Sequence, residues 1–392
     1  MPPSPVIERI ELFSLHVPFR AAAREAMARG AGGLGMAIPA EEPWLGGDFV
    51  LARLTADDGS HGVGEAFVWL PETGVSPAQV VDAVQHGLAH YVLGASPFAV
   101  EALRARMDRN VARSEVAKGL LDIACHDLAG SIAGRPVCEL LGGGAGAQEL
   151  PLAALIPLGD ARSMLDLAHA FRKGGTATFR FKLGSGIEAD RAVIAAAREA
   201  LGDAVRLRVD YNQAYTPDQA IRAIEAIAPF RIDCAEQPVR ADDWLGMARV
   251  QRAVGVPLMA HEGCFSLTDA IALIELDAVR VLGVNTERPG GITQALRAID
   301  YAARRGLGTV LHNQPLGIAS AAQIHLGAAR ADVLGHAMEL FGHVMLEDDL
   351  IVEPLDYSGG RVRVPEGPGL GVALDESALD RYTVAPPVAI AR

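Results

Sequence analysis

Four ionisable residues fall on an even beat through the middle of the sequence: Lys182, Asp210, Glu236 and Glu262 are separated by 28, 26 and 26 residues. Each closes a short run rich in apolar or alternating residues, among them Thr178-Phe179-Arg180-Phe181-Lys182 and Arg208-Val209-Asp210-Tyr211-Asn212. Strict alternation marks a strand, so Arg180 and Lys182 share one face while Phe179, Phe181 and Leu183 share the other. The beat fits one strand, one helix and their loops, which sets the amine and three carboxylates at equivalent heights on consecutive strands. Acids converging in this way repel unless a divalent cation neutralises them. Oxygen-only ligation by Asp210, Glu236 and Glu262 points to magnesium, or manganese, and not to zinc. A lysine buried without a purpose is expensive.

The beat continues to Asn285, 23 residues on, before Pro289-Gly290-Gly291. His312 and Glu339 follow at two further steps of 27. His312 lies across the expected mouth from Lys182, which makes it a second acid or base. His86, His90 and His325 fall on helical segments and read as structural.

These residues need a scaffold. Short apolar runs at 150–158, 178–183, 205–211, 231–236, 256–260, 278–284, 309–311 and 335–340 alternate with helical segments, the pattern of a parallel α/β (β/α) TIM-type barrel. Thr216-Pro217-Asp218-Gln219 and Ser266-Leu267-Thr268-Asp269 mark helix starts within it. A doubly wound open sheet is the other architecture, but its glycine fingerprint after the first strand is missing. Ahead of the barrel, 6–17, 49–55 and 62–69 read as an antiparallel meander, followed by helices opening at Ser76-Pro77 and Ser96-Pro97 and a long helix over 114–133. The Ala-, Gly- and Arg-rich stretch 18–44 exceeds ordinary connection lengths and is expected to form a lid. The glycine run 142–146 marks a boundary. The division expected is 1–140 as an α+β domain, 141–345 as the barrel, and 346–392 as an irregular return segment against the first domain.

Composition narrows the classes. Half of the 392 residues are hydrophobic and the formal net charge is −13. A large core is therefore expected, and a surface that binds nucleic acid or anionic membrane is not. The four scattered cysteines suit free thiols of a reducing compartment. With neither a signal pattern nor a long uncharged apolar run, a soluble cytoplasmic protein is expected.

Taken together, Lys182 on the second barrel strand, VDYNQ (209–213), EQP (236–238), Gly290-Gly291, HNQPLG (312–317) and PEGPGLGV (365–372) resemble the enolase superfamily, in its mandelate racemase and muconate lactonizing enzyme branch. The resemblance implies an α+β capping domain, built from both termini, over a modified (β/α) barrel, with 18–44 and 65–69 governing specificity. It assigns Lys182 as general base, Asp210, Glu236 and Glu262 as ligands of Mg2+ (or Mn2+), and His312 as the histidine base of racemase-like members. Glu339 matches an acid that hydrogen-bonds the substrate carboxylate, and Asn212, His261 and Asn285 are further substrate-binding candidates. Three residues depart from the pattern. Arg180 stands where a lysine is common and is a catalytic candidate that can polarise a carboxylate. His261 stands where cycloisomerase-like relatives carry a ligating Asp. Asn285 replaces either a second catalytic lysine or the histidine's Asp partner.

The implied reaction removes a proton α to a carboxylate, with a metal stabilising the enediolate. Because Asn285 leaves His312 without its usual orienter, dehydration of a hydroxy acid or acid sugar is the expected outcome, ahead of racemisation, epimerisation or cycloisomerisation. A non-catalytic barrel whose site has drifted is the reading from another class. The partners expected are a small carboxylate and a second copy of the chain.

Overall fold

The computed structural model describes residues 4–29, 44–142, 147–313 and 316–392. Its strands in chain order are β1 (Ile7–Pro18), β2 (Gly46–Ala56), β3 (His61–Phe67), β4 (Glu149–Pro151), β5 (Ala153–Ile156), β6 (Thr178–Lys182), β7 (Arg206–Asp210), β8 (Ile232–Glu236), β9 (Leu258–Ala260), β10 (Val281–Val284), β11 (Gly308–Asn313), β12 (Glu339–Leu340), β13 (Arg361–Arg363) and β14 (Val388–Ala391).

The first sheet is antiparallel, in the order β14-β1-β2-β3. The β2–β3 turn closes at Gly59, whose φ of 84° suits glycine, with Asp58 Oδ1 accepting the Ser60 N–H at 2.9 Å. The helix Glu115–Ala133 packs so closely on β3 that a Cβ at Gly64 would lie 2.3 Å from the Leu120 carbonyl oxygen. Ser76 caps the helix Pro77–Asp82 as expected, and the Gln79 side chain returns a bond to the Ser76 backbone.

Strands β5 to β12 run parallel, each beside its sequence neighbour. The ring closes where Met338 N donates to Pro151 O and Ala153 N to Met338 O, both at 2.8 Å. This is the expected barrel and not the open sheet. Amphipathic helices cover it: Pro217–Ile227 buries Ala220, Ala223, Ile224 and Ile227, one stripe at helical spacing. Phe179 and Phe181 face those helices in the main core. Inside the barrel, Cys234, Met259, Val281 and Val310 from β8 to β11 form a small apolar plug. All four cysteines are free thiols.

Three expectations are corrected or left outside. The run 150–158 splits at Pro151–Ala153, so that β4 pairs antiparallel with β13 and only β5 joins the barrel. The C-terminal segment is more regular than expected, because β14 completes the first sheet against β1 and β13 pairs with β4. Within the expected lid, Ala21–Arg29 is helical; residues 30–43, like residues 143–146 of the glycine-rich boundary, lie outside the described residues.

The two units are tied by buried carboxylates. Glu65 on β3 accepts from Leu316 N at 2.7 Å and Ala319 N at 3.2 Å, at the start of the barrel helix Gly317–Ala329. Asp127 accepts from Val63 N and Leu370 N, both at 2.7 Å. The Glu65 bonds fix the first sheet over the C-terminal end of β11, while Asp127 ties the helix Glu115–Ala133 to β3 and to the C-terminal segment.

Candidate functional site

Register decides which side chains reach the barrel mouth. Lys182 pairs with Asp210, and Asp210 with Glu236, so these three stand level as their spacing implied. His312 and Glu339 are likewise level. Glu236, however, pairs with Met259. Met259 points into the plug, so two residues on it is His261 that points inward, and Glu262 is one residue out of phase. Glu262 reaches the cleft from the loop after β9, where Asn212 Nδ2 donates to it at 3.1 Å.

A buried ion-pair network fills the floor. Lys182 Nζ donates to Asp210 Oδ2 at 2.6 Å and to Asn212 Oδ1. Arg180 Nη1 lies 2.9 Å from each oxygen of Glu236 and 3.1 Å from Asp210 Oδ2, while its Nε is 3.2 Å from Glu339 Oε2. Arg208 Nη1 donates to the other Glu339 oxygen at 3.0 Å. Burial works against the Arg180 charge, but Glu236, Glu339 and Asp210 outweigh it and raise its proton affinity. For Glu236, burial prevails over Arg180 and holds the carboxyl well above its usual range.

The two histidines sit together, their ring centroids 3.8 Å apart. His312 Nε2 is 2.6 Å from Arg180 Nη1, which can only donate, so that nitrogen carries its lone pair. Burial, then the neighbouring Arg180 and Arg288 among other groups, pushes both imidazoles well below their usual pKa. They are neutral at pH 7, in the state that ligates metal or accepts a proton.

The donors at the mouth include groups that suit a divalent ion. Asp210 is taken up by Lys182, Arg180 and the Asn212 N–H at 2.9 Å. Among the described residues, the set whose ligating atoms all lie within 4.8 Å of one another is Glu236, His261 and His312. His261 Nε2 is buried with no partner.

Several cleft residues were not singled out from the sequence. Arg288 is buried at 1% exposure, donates from Nη1 to His261 O at 2.7 Å and sits 3.3 Å from Glu72, while its Nε and Nη2 have no hydrogen bond. Glu72, Thr73 and Glu287 join it in lining the cleft, of about 630 Å³. Arg288 follows the sixth barrel strand in a loop, where no periodicity reveals a buried side chain. From the expected 65–69 segment, Phe67 and Trp69 form the cap-side wall, with Trp69 stacked 4.4 Å from Trp44. Asn285 lines the opposite part of the mouth, four strands from Lys182, and its Oδ1 accepts the Arg288 N–H at 2.9 Å. Asn212, Gln213 and Gln237 hold positive φ (40°, 66° and 34°) where the strands end at the cleft, backbone strain concentrated beside the site.

Comparison with known proteins agrees with this architecture. Residues 163–378 match the family "Enolase C-terminal domain-like", and residues 46–142 match "Mandelate racemase / muconate lactonizing enzyme, N-terminal domain". The hydrophobic dipeptide epimerase of Enterococcus faecalis is 34% identical over 292 residues, covering 73% of this chain and 80% of that protein. Muconate cycloisomerase 1 of Pseudomonas putida is 30% identical over 341 residues, 85% of this chain and 90% of that one. The crystal structure of N-succinyl Arg/Lys racemase from Bacillus cereus superimposes with a TM-score of 0.87 at 26% identity, over 98% of this chain and 100% of that chain. The chain therefore belongs to the mandelate racemase/muconate lactonizing enzyme family of the enolase superfamily.

Proposed function

We propose that this protein is an isomerase of small carboxylates in which Lys182 alone exchanges the α-proton, on one face, while a bond at the β-carbon is made or broken. The observation that carries the reading is the pairing across the mouth: Lys182 on β6 faces Asn285 beyond β10, a residue with no proton to exchange at neutral pH. In the bond-breaking direction, Lys182 as free amine takes the α-proton and the electron pair moves into the substrate carboxylate. That pair then expels a β-carboxylate oxygen of the same molecule, leaving a double bond. The reverse direction closes the ring, and the ammonium returns the proton to the α-carbon. The bonds Lys182 donates to Asp210 and Asn212 hold that ammonium in place.

When bound, a divalent cation supplies Lewis-acid stabilisation to the enediolate; Glu236, His261 and His312 are the residues that would hold it. Arg288, with two nitrogens lacking hydrogen bonds, is placed to receive a substrate anion, and the Phe67–Trp69 wall to exclude water. The named activities of the relatives are an epimerisation, a cycloisomerisation and a racemisation, so dehydration gives way to isomerisation as the leading reading.

One observation favours a second reading, epimerisation. His312 is neutral and lines the same cleft, its Nε2 accepting from Arg180 Nη1 at 2.6 Å. The two readings make opposite demands on His312: cation ligand in the first, second base in the other. Incubation in deuterated water with a panel of dipeptides, N-acyl amino acids, unsaturated diacids and lactone acids separates them. Deuterium entering one face with configuration retained, and ring opening or closure, is expected. Deuterium with loss of configuration and no change at the β-carbon would overturn the one-base reading in favour of epimerisation.

A further inference from the structure

We infer that the barrel mouth binds a borderline transition metal of the zinc or cobalt type in preference to magnesium, through Glu236, His261 and His312. The chemical class follows from the donors. Two imidazoles and one carboxylate form a nitrogen-rich set, whereas magnesium requires oxygen ligands in near-ideal octahedral order.

Spacing points the same way. Glu236 Oε1 lies 3.5 Å from His261 Nδ1 and 3.7 Å from His312 Nε2. With metal–ligand bonds of about 2.1 Å, tetrahedral donors stand about 3.4 Å apart and adjacent octahedral donors about 3.0 Å apart. The observed separations sit on the tetrahedral side. His261 can offer its Nδ1 to an ion: the residue is 6% exposed and lines the cleft, and that nitrogen faces carboxylates, Glu236 at 3.5 Å and Glu262 at 3.3 Å.

Arg180 Nη1 holds two of the same residues, at 2.9 Å from Glu236 and 2.6 Å from His312. Ion binding therefore requires the planar guanidinium to swing away as a unit, which also breaks the contact of Arg180 Nε with Glu339 at 3.2 Å. The family resemblance leads to an all-carboxylate site; this chain departs from it because His261 takes the inward position on β9 and Glu262 does not.

The inference deepens the proposed function, but its test needs no substrate. The full-length protein, stripped with a chelator, is titrated with Co2+ followed by visible absorption, then challenged with Zn2+ and with Mg2+. One equivalent of Co2+ is expected to bind with a ligand-field spectrum, to yield to Zn2+, and to resist Mg2+ by at least about tenfold. His261→Asp and His312→Gln are each expected to weaken Co2+ by roughly 10–100-fold, His261→Asp also moving the preference toward Mg2+. Mg2+ binding as tight as Co2+, or Co2+ binding untouched by both substitutions in folded protein, would overturn the inference. Inactive protein that still binds Co2+ in this way would defeat the functional reading and leave the site standing.

Discussion

Replacing Lys182 with Met removes the ammonium and keeps most of the side chain's volume. The wild-type amine is 5% exposed and bonded to Asp210 and Asn212. Deleting one partner of a buried ion pair costs about 3–5 kcal/mol where the other is left bare. Asp210 is not left bare, because Arg180 at 3.1 Å and the Asn212 N–H at 2.9 Å remain. A loss of about 1–3 kcal/mol in urea unfolding is therefore expected, small enough for the protein to stay folded. Catalysis should suffer far more. A positioned acid–base group contributes about 10²–10⁴ in rate, and Asn285 offers no substitute across the mouth. The assay is α-proton exchange in deuterated water, followed by NMR on whichever carboxylate the panel identifies, with circular dichroism checking the fold. Exchange within tenfold of wild type in folded Lys182→Met would refute the assignment of Lys182 as the base.

Three further outcomes test the scaffold. Glu65→Ala strips the acceptor from two buried N–H groups at the start of Gly317–Ala329, and should cost about 2–5 kcal/mol in urea denaturation. Gly64→Ala drives a Cβ to 2.3 Å from the Leu120 carbonyl, where only backbone can yield, and should cost about 1–3 kcal/mol, read from the thermal midpoint. Burial, only partly offset by the Val63 and Leu370 N–H groups, pushes the Asp127 carboxyl up to about 6. Its folded value thus lies above its unfolded one, so its contribution is full below pH about 4 and is lost as pH rises through about 6. That shift corresponds to about 3 kcal/mol, and the stability of wild type relative to Asp127→Asn should fall by up to that amount between pH 4 and 7; a flat difference would refute it.

The eight barrel strands were legible because each carries either strict alternation or a short apolar run, and the 26–28-residue beat reflects the constant length of a strand plus a covering helix. The same beat misled at β9. Counting to Glu262 gave an even step, but register sets Glu236 level with Met259, and period two then selects His261. Parity along Met259-Ala260-His261 was available in the sequence; the competing signal was the expectation of an acid. Arg288 was not available in this way, since its burial comes from the Glu287–Gly291 loop folding under the long cap helix: a Cβ on Gly291 would meet Asp122 of that helix at 2.3 Å. The splitting of 150–158 into β4 and β5 was equally hidden, because β4's partner β13 lies 210 residues away in sequence and apolar runs do not name their partners.

The departures of this chain from its family pattern are coupled through charge. His261 in place of a ligating aspartate removes one negative charge from the mouth. Against the branch that carries a second catalytic lysine there, and not against the one that carries an Asp, Asn285 removes one positive charge. Arg180 in place of the first lysine keeps its sign, so the three together leave the formal charge of the mouth unchanged. Each of the first two alone would leave an uncompensated charge among fully buried groups, at a cost of several kcal/mol. The positions are also neighbours in space, on the ends of the adjacent strands β9 and β10, where a Cβ at Gly283 would come within 3.5 Å of the His261 side chain. A site that had lost its function would have no reason to lose opposite charges in step. Paired loss is what a mouth under a constraint of charge balance would show.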